Sequence, residues 1–429
     1  MNILESVEIT GLWGNKKRPI RLSFDKNFNF LIGPNGTGKT TVINLIAAAL
    51  NADFETLDRV EFSNIEITLR SLGSRNRPRI DIIKQAKRAL PYYDIDYQIR
   101  SSAKAKPVSF DLDALAEERA FRGLPPRILR ERFGKQRFLD VQKHLESLVT
   151  VCWLSIHRQT SDDSSPNERG NKPSVDRKLD SLTYQLAKYF FELSQAYSVK
   201  TREFQKRSFL SMLTAEQEDV LVAFSNKIDV EAEKLALSKV FELLDVAPTE
   251  YEQKIRTHFS RFEAARKIFS DAKKISAREF SAIYNVWKSH SLVQYYKELE
   301  QDRIAIFSPR EAFVSVVNEM FDGRKILSIP SGNEIAIATK DGRAIPLDEL
   351  SSGEKQLLII LGEALLQRSA SVVYIADEPE LSLHVAWQEQ LTRSIARLNP
   401  NAQIVFATHS PDIVSTHSDK VIAMETLVE

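Results

Sequence analysis

The stretch Leu31–Ile46, LIGPNGTGKTTVINLI, constrains the fold more than any other. A short apolar run, a glycine-rich turn and an apolar helical pattern follow one another directly. The turn Gly33-Pro34-Asn35-Gly36-Thr37-Gly38-Lys39-Thr40, with Thr41 after it, fits G-x-x-x-x-G-K-[ST]. Glycines let the backbone curl so that successive N–H groups face one concavity, and the following helix adds its positive N-terminal end. Both favour phosphate oxygens. A lysine at the seventh position reaches the outer phosphates, and the Thr40 hydroxyl is a ligand for Mg2+. The strand before and the helix after are the context the motif requires.

A phosphate turn alone only binds. Hydrolysis needs an acid for the metal and a group that orients water. Val372–Glu378, VVYIADE, supplies an apolar strand ending in two acids. Asp377 is the candidate Mg2+ ligand and Glu378 the candidate base for the attacking water. Leu350–Gln356, LSSGEKQ, places Ser351, Ser352, Gly353 and Glu354 at the start of a helix. That is a ready anion site, and equally an N-cap with Glu354 closing it. A second apolar strand, AQIVFATHS, ends in His409, a candidate γ-phosphate contact.

Unbroken apolar strands alternating with helices predict a parallel sheet covered on both faces. Residues 3–10, 20–32, 60–70 and 79–83 also read as strands. From about 175 to 300 the pattern is helical, with Leu182, Leu186, Tyr189, Phe190 and Leu193 at three- and four-residue spacing. It keeps no strict heptad, so a bundle or short hairpin is expected rather than a long coiled coil. From about 303 strands return, with a hairpin turning at Asp341-Gly342. The resulting division is 1–85, 86–150, 151–160, 161–302 and 303–429, the first, third and last forming one α/β unit.

Charge is balanced, 59 basic against 58 acidic residues, so total charge selects neither nucleic acid nor membrane. The single cysteine, Cys152, excludes an intrachain disulfide and fits a reducing compartment. No secretory leader or membrane-length apolar run is read, which makes a cytoplasmic protein without a membrane partner the expectation.

GPNGTGKT, LSSGEKQ, VVYIADEPE and ATHS, in that order, resemble the P-loop, signature, Walker B and switch-histidine motifs of ABC-type ATPases. The signature wording and the run Asp377–His384 are similar to the SMC/Rad50/RecF and OLD-like branch rather than to transporters. The resemblance covers about residues 1–70 and 303–429. It implies an ABC-type head with a large helical insertion and an ATPase that uses ATP and Mg2+. It also implies head-to-tail dimers, with higher oligomers open, in which Ser351 and Gly353 contact the partner's nucleotide and Glu380–His384 crosses the interface. The family's Mg2+-sensing glutamine has Gln159 as its candidate here, an ordinary polar strand end being the alternative. Trp13 is read as a core residue, with stacking on a base as the alternative.

The chain ends about twenty residues after His409, without the clustered acids of a Toprim nuclease. By size and motif wording it resembles the ATPase subunits of PARIS- and Septu-type anti-phage systems. That implies a separate effector such as a Toprim or HNH nuclease, and a phage-encoded trigger. The other reading is a repair or chromosome-type ATPase that clamps DNA. Between Arg70 and Lys106 ten Lys or Arg stand against three Asp, with Tyr92, Tyr93 and Tyr97 interleaved. Such a segment, with a second cluster at Arg122–Lys143, suits a solvated face or protein interface first and a nucleic-acid backbone second.

Overall fold

The computed structural model describes residues 2–86, 93–102, 105–111, 135–154, 173–211, 213, 228–270, 276–414 and 417–428. Two units are distinguished: residues 1–187 with 312–429, and residues 188–311.

The first unit is built on two large sheets. Alternating apolar residues form strand β1 (Asn2–Thr10), which pairs with β2 (Ile20–Ser23) on one side and β4 (Asn64–Ser71) on the other, both antiparallel. The register shifts between Leu4 and Ser6, a bulge at Glu5 that keeps Leu4 in the same buried cluster as Val7 and Ile9. The sheet continues through β5 (Arg79–Ala86), β6 (Tyr93–Arg100) and β7 (Val108–Asp111). The second sheet is parallel. Its order is β14 (Val421–Ala423), β3 (Phe28–Ile32), β13 (Ala402–Ala407), β12 (Val372–Asp377) and β8 (Thr150–Leu154).

Helix α1 (Lys39–Asn51) joins these sheets. Val42, Ile43, Leu45, Ile46 and Ala47–Leu50 are all buried, and they share one core with Val7, Ile9 and Ile67 of the first sheet and Val373, Ile375 and Val405 of the second. A helix buried on every side must be apolar all round, which is why VINLIAAAL carries so little polarity. Gln403, fully buried, fastens the sheets. Its Oε1 accepts the Leu4 amide at 2.8 Å, and its Nε2 donates to the Leu4 and Asp25 carbonyls at 2.8 and 2.7 Å. Helices α2 (Phe54–Arg59) and α3 (Lys135–Leu148) complete this side.

The second unit is helical. It contains most of α4 (Ser174–Ser211), α5 (Val230–Leu243), α6 (Pro248–Ser270) and most of α7 (Ala277–Phe321). Phe259, Phe262, Val286 and Trp287 form one buried cluster, and Phe204, Val240, Tyr296 and Leu299 another. The return to strands differs from the sequence expectation. Helix α7 runs through Pro309 to Phe321, because Phe313, Val316, Val317 and Met320 form a buried helical stripe. Strands resume at β9 (Lys325–Ser328), which with β10 (Ala336–Thr339) and β11 (Ala344–Ile345) makes the hairpin that turns at Asp341-Gly342. Gly342 has φ +82°, as the turn requires. Helices α8 (Ser352–Leu366) and α9 (Val385–Leu398) follow, then the short α10 (Pro411–Val414) and α11 (Glu425–Val428).

The basic segment is also more regular than its composition suggests. Ile80, Ile82, Ile95, Tyr97 and Ile99 are buried on one face of β5 and β6. Arg70 and Arg77 both pair with Glu5, at 3.1 and 3.0 Å, and Arg79 pairs with Glu66 and Asp81. Tyr97 is buried and its hydroxyl donates to the Ala49 carbonyl at 3.1 Å, so it is no stacking platform. Tyr92, Lys87 and Arg88 lie outside the described residues, as does most of Arg122–Lys143.

Candidate functional site

In a parallel sheet every strand ends at the same edge, and ligands bind beyond the carboxyl ends. Gly33 follows β3, Thr408 and His409 follow β13, and Asp377 closes β12, three adjacent strands. The sheet order therefore gathers at one edge motifs that lie far apart in the chain. Thr40, in the first turn of α1, donates its hydroxyl hydrogen bond to Asp377 Oδ1 at 3.1 Å. That contact joins the phosphate turn to the acidic strand.

The turn itself is an open backbone loop. Gly36 and Gly38 have φ of +88° and +85°, a region side chains rarely adopt. Thr37 donates from its hydroxyl to the Pro34 carbonyl at 2.9 Å, while Pro34, Asn35 and Gly36 are exposed. Thr41 is half-buried on α1. Lys39 is only 5% exposed and donates to the Gly33 and Pro34 carbonyls, at 2.7 and 3.1 Å. Burial pushes its pKa down, against the pull of Glu378, Asp377 and Glu380. The lysine thus lies among the turn carbonyls and within the field of three acids.

Glu378 leaves β12 with φ +48°, a left-handed backbone, and its amide donates to the Ala407 carbonyl at 2.8 Å. This swings the side chain out of the strand line. Its Oε1 stands 3.8 Å from His409 Nε2, too long for a hydrogen bond, with the two side chains 34% and 37% exposed. Both reach the surface beside the turn. Thr40 and Asp377 are hard oxygen donors on adjoining elements. Mg2+ is commonly held by one or two such protein groups together with phosphate oxygens and water, so the donor set fits that ion. Among the described residues no group of three or more His, Cys, Asp or Glu is arranged to hold a metal ion.

The signature residues form a complete capping box. The Ser351 hydroxyl and amide donate to Glu354 Oε2, each at 2.8 Å, and the Glu354 amide returns to Ser351 Oγ. Lys325 adds a third donor to the same carboxylate at 2.8 Å. Burial acts against the charged form, yet the bonds from Lys325 and Ser351 prevail and hold the Glu354 pKa below its ordinary value. Ser352 is exposed and Gly353 buried. A Cβ on Gly353 would stand 2.2 Å from the Ser382 carbonyl oxygen, so the signature turn rests directly on the loop after β12.

Trp13 departs from the core reading. It is 47% exposed, has φ +52°, and its ring lies over Gly38, where an added Cβ would meet Cη2 at 2.1 Å. Gln159 lies outside the described residues. Cys152 is buried, its thiol pKa pushed up to about 12 by that burial. Two contacts escaped sequence reasoning: Gln356, the last residue of LSSGEKQ, donates to the Pro379 carbonyl at 3.0 Å, and the Glu380 carboxylate, read only as the start of the loop Glu380–His384, accepts from Thr408 and His409. Among the described residues no helix is long and apolar enough to cross a membrane.

A family described as AAA ATPase domain (AAA_15) matches residues 3–414. The Retron Vc95 probable ATPase of Vibrio cholerae is 20% identical over 424 residues, covering 93% of this chain and 69% of that protein. Among solved structures, the Smc head domain of Pyrococcus furiosus, bound to the C-terminal domain of ScpA, is similar at 13% identity. It covers 96% of this chain and 91% of that one, with TM-score 0.42. The SMC head domain of Thermotoga maritima covers 96% and 90% at 12% identity and TM-score 0.41. The chain, matched over nearly its whole length, belongs to the AAA_15 family of AAA ATPase domains.

Proposed function

We propose that the chain hydrolyses ATP between two copies of itself and that this cycle controls a separate effector, such as a Toprim or HNH nuclease, in the cytoplasm during anti-phage defence. The observation that supports the ATPase part is the Thr40–Asp377 hydrogen bond, which joins the glycine-rich turn to the end of the acidic strand. Thr40 and Asp377 would hold Mg2+, which would neutralise phosphate charge. The N–H groups of Gly33–Thr41 cradle the phosphates, and Lys39 turns from the loop carbonyls toward the γ-phosphate. Glu378 takes a proton from the attacking water, and His409 donates to a γ-phosphate oxygen. Ser351, Ser352, Gly353 and Glu354 of one copy face the nucleotide of the other. Trp13, half-exposed beside Gly38, offers a flat face to the base. Gln159 remains the candidate for sensing the metal from the far strand.

The effector reading draws support from the similarity to the Retron Vc95 probable ATPase. Direct DNA clamping draws less, because Arg70, Arg77 and Arg79 are engaged by acids and Lys84 is buried. The test is Glu378→Gln in the full chain. It should lower hydrolysis by about 10²–10⁴-fold, the usual worth of a general base, while an ATP-dependent dimer accumulates in size-exclusion chromatography. Normal turnover in that variant would end the assignment of the base. Affinity purification with Mg-ATP then identifies the bound effector, or DNA in its place.

A further inference from the structure

Glu380 carries a carboxylate that the motifs leave without a task. It lies two residues beyond Glu378, in the loop leaving β12. Its Oε1 accepts the Thr408 hydroxyl at 2.7 Å and the His409 amide at 2.8 Å. Its Oε2 is buried and has no hydrogen-bond partner among the described residues. A buried carboxylate oxygen without a donor is costly. A side chain that only filled this space would not need one.

The main chain of Glu380 is equally engaged. Its carbonyl accepts the Leu383 amide at 2.9 Å and Gln388 Nε2 at 3.4 Å. The residue therefore pins the exit of β12, which presents Glu378, to the exit of β13, which presents His409. On either side of it in the same loop, the Pro379 carbonyl accepts from Gln356 and the Ser382 carbonyl packs on Gly353. The loop that Glu380 anchors is the floor of the signature turn.

We propose that Glu380 is a positioning residue. It sets the backbone of His409 relative to Glu378 in its own copy and, through Pro379–Ser382, ties that setting to the signature turn presented to the other copy. A shift of His409 toward a γ-phosphate pulls on Oε1, and the loop passes the displacement to Gly353. The coupling half rests on the reading of Ser351–Glu354 as acting in trans.

The experiment compares Glu380→Ala, Glu380→Gln and Thr408→Val in the full chain. Steady-state Mg-ATP hydrolysis is measured alongside binding of a fluorescent ATP analogue and the thermal midpoint. Glu380→Ala should lower kcat by about 10–100-fold, the scale of a misplaced catalytic group, with nucleotide affinity nearly unchanged. Glu380→Gln keeps an acceptor oxygen for both donors and should recover most of that loss. Thr408→Val, which leaves Glu380 in place, should lower kcat by a smaller factor; it decides the matter if Glu380→Ala does not fold. In the Glu378→Gln background, Glu380→Ala should abolish the ATP-dependent dimer. An unchanged kcat per folded molecule in Glu380→Ala and Thr408→Val overturns the proposal. So does an equal loss in Ala and Gln, or a fall in melting temperature alone. If Glu378→Gln forms no dimer by itself, the trans reading fails, a result separate from any change in kcat.

Discussion

Lys39 and Lys84 are both 5% exposed, both bonded to backbone carbonyls, and both shifted to lower pKa chiefly by burial. They differ in what remains available. An ammonium has three N–H donors. Lys84 spends them on Leu57, Asp58 and Val60, each at 2.8 Å, closing the C-terminal end of α2, where carbonyls lack helical donors. It also lies 5.1 Å from the centre of the Phe62 ring. Lys39 bonds to two carbonyls, both within a turn whose N–H groups are suited to phosphate. A buried lysine is thus a clasp or a binding group according to its unused donors and its surroundings. Depth alone does not distinguish them.

The contrast breaks most visibly at Lys39. Lys39→Ala should weaken hydrolysis by about 10²–10³-fold or more, as for loss of an oxyanion donor, with little change in melting temperature. Next is Lys84→Met, expected to destabilise the unit by about 2–4 kcal/mol while the folded fraction binds nucleotide normally. Denaturant unfolding and nucleotide titration together check this. A binding defect without a stability defect would make the two lysines alike. Trp13→Ala sharpens the picture from the base side. A stacking contribution of about 1–2 kcal/mol predicts ATP binding weaker by roughly 5–30-fold, with inorganic triphosphate unaffected. The smallest effect is at the signature turn. Because the Glu354 pKa lies below its ordinary value, its charge stabilises the fold above the ordinary glutamate range, and this is lost as pH falls through the lowered value. Glu354→Gln should therefore be less stable than the parent at pH 7 and equal to it in acid, as followed by thermal melts across that interval.

The parallel sheet was legible because each of its inner strands is an unbroken apolar run that stops at a polar motif. VVYIAD, AQIVFA and FNFLI need only be placed side by side for Asp377, His409 and Gly33 to meet. The antiparallel extension was harder to see. Ile95, Tyr97 and Ile99 alternate with polar neighbours, yet the abundance of Arg and Lys drew attention from that period. The return to strands was placed too early, at about 303, since the buried stripe of Phe313, Val316, Val317 and Met320 carries α7 through Pro309 to Phe321. Trp13 could not be placed by pattern, because it sits in the short turn Leu12–Gly14 after β1, on a left-handed backbone. Glu380 was legible only as part of a loop. Its partners follow a different strand, and sequence distance hides such a bond.

The position of β3 has a consequence for how the molecule is made. Its two hydrogen-bonding neighbours, β13 and β14, are both C-terminal, and Asn29 bonds across a separation of 375 residues to Ile404. A ribosome delivers the phosphate turn early, with both flanks of its strand still bare. The emerging polypeptide must keep those edges from pairing elsewhere while the helical segment is translated. The sheet edge that carries the turn therefore closes only after the strands that follow the helical segment have emerged.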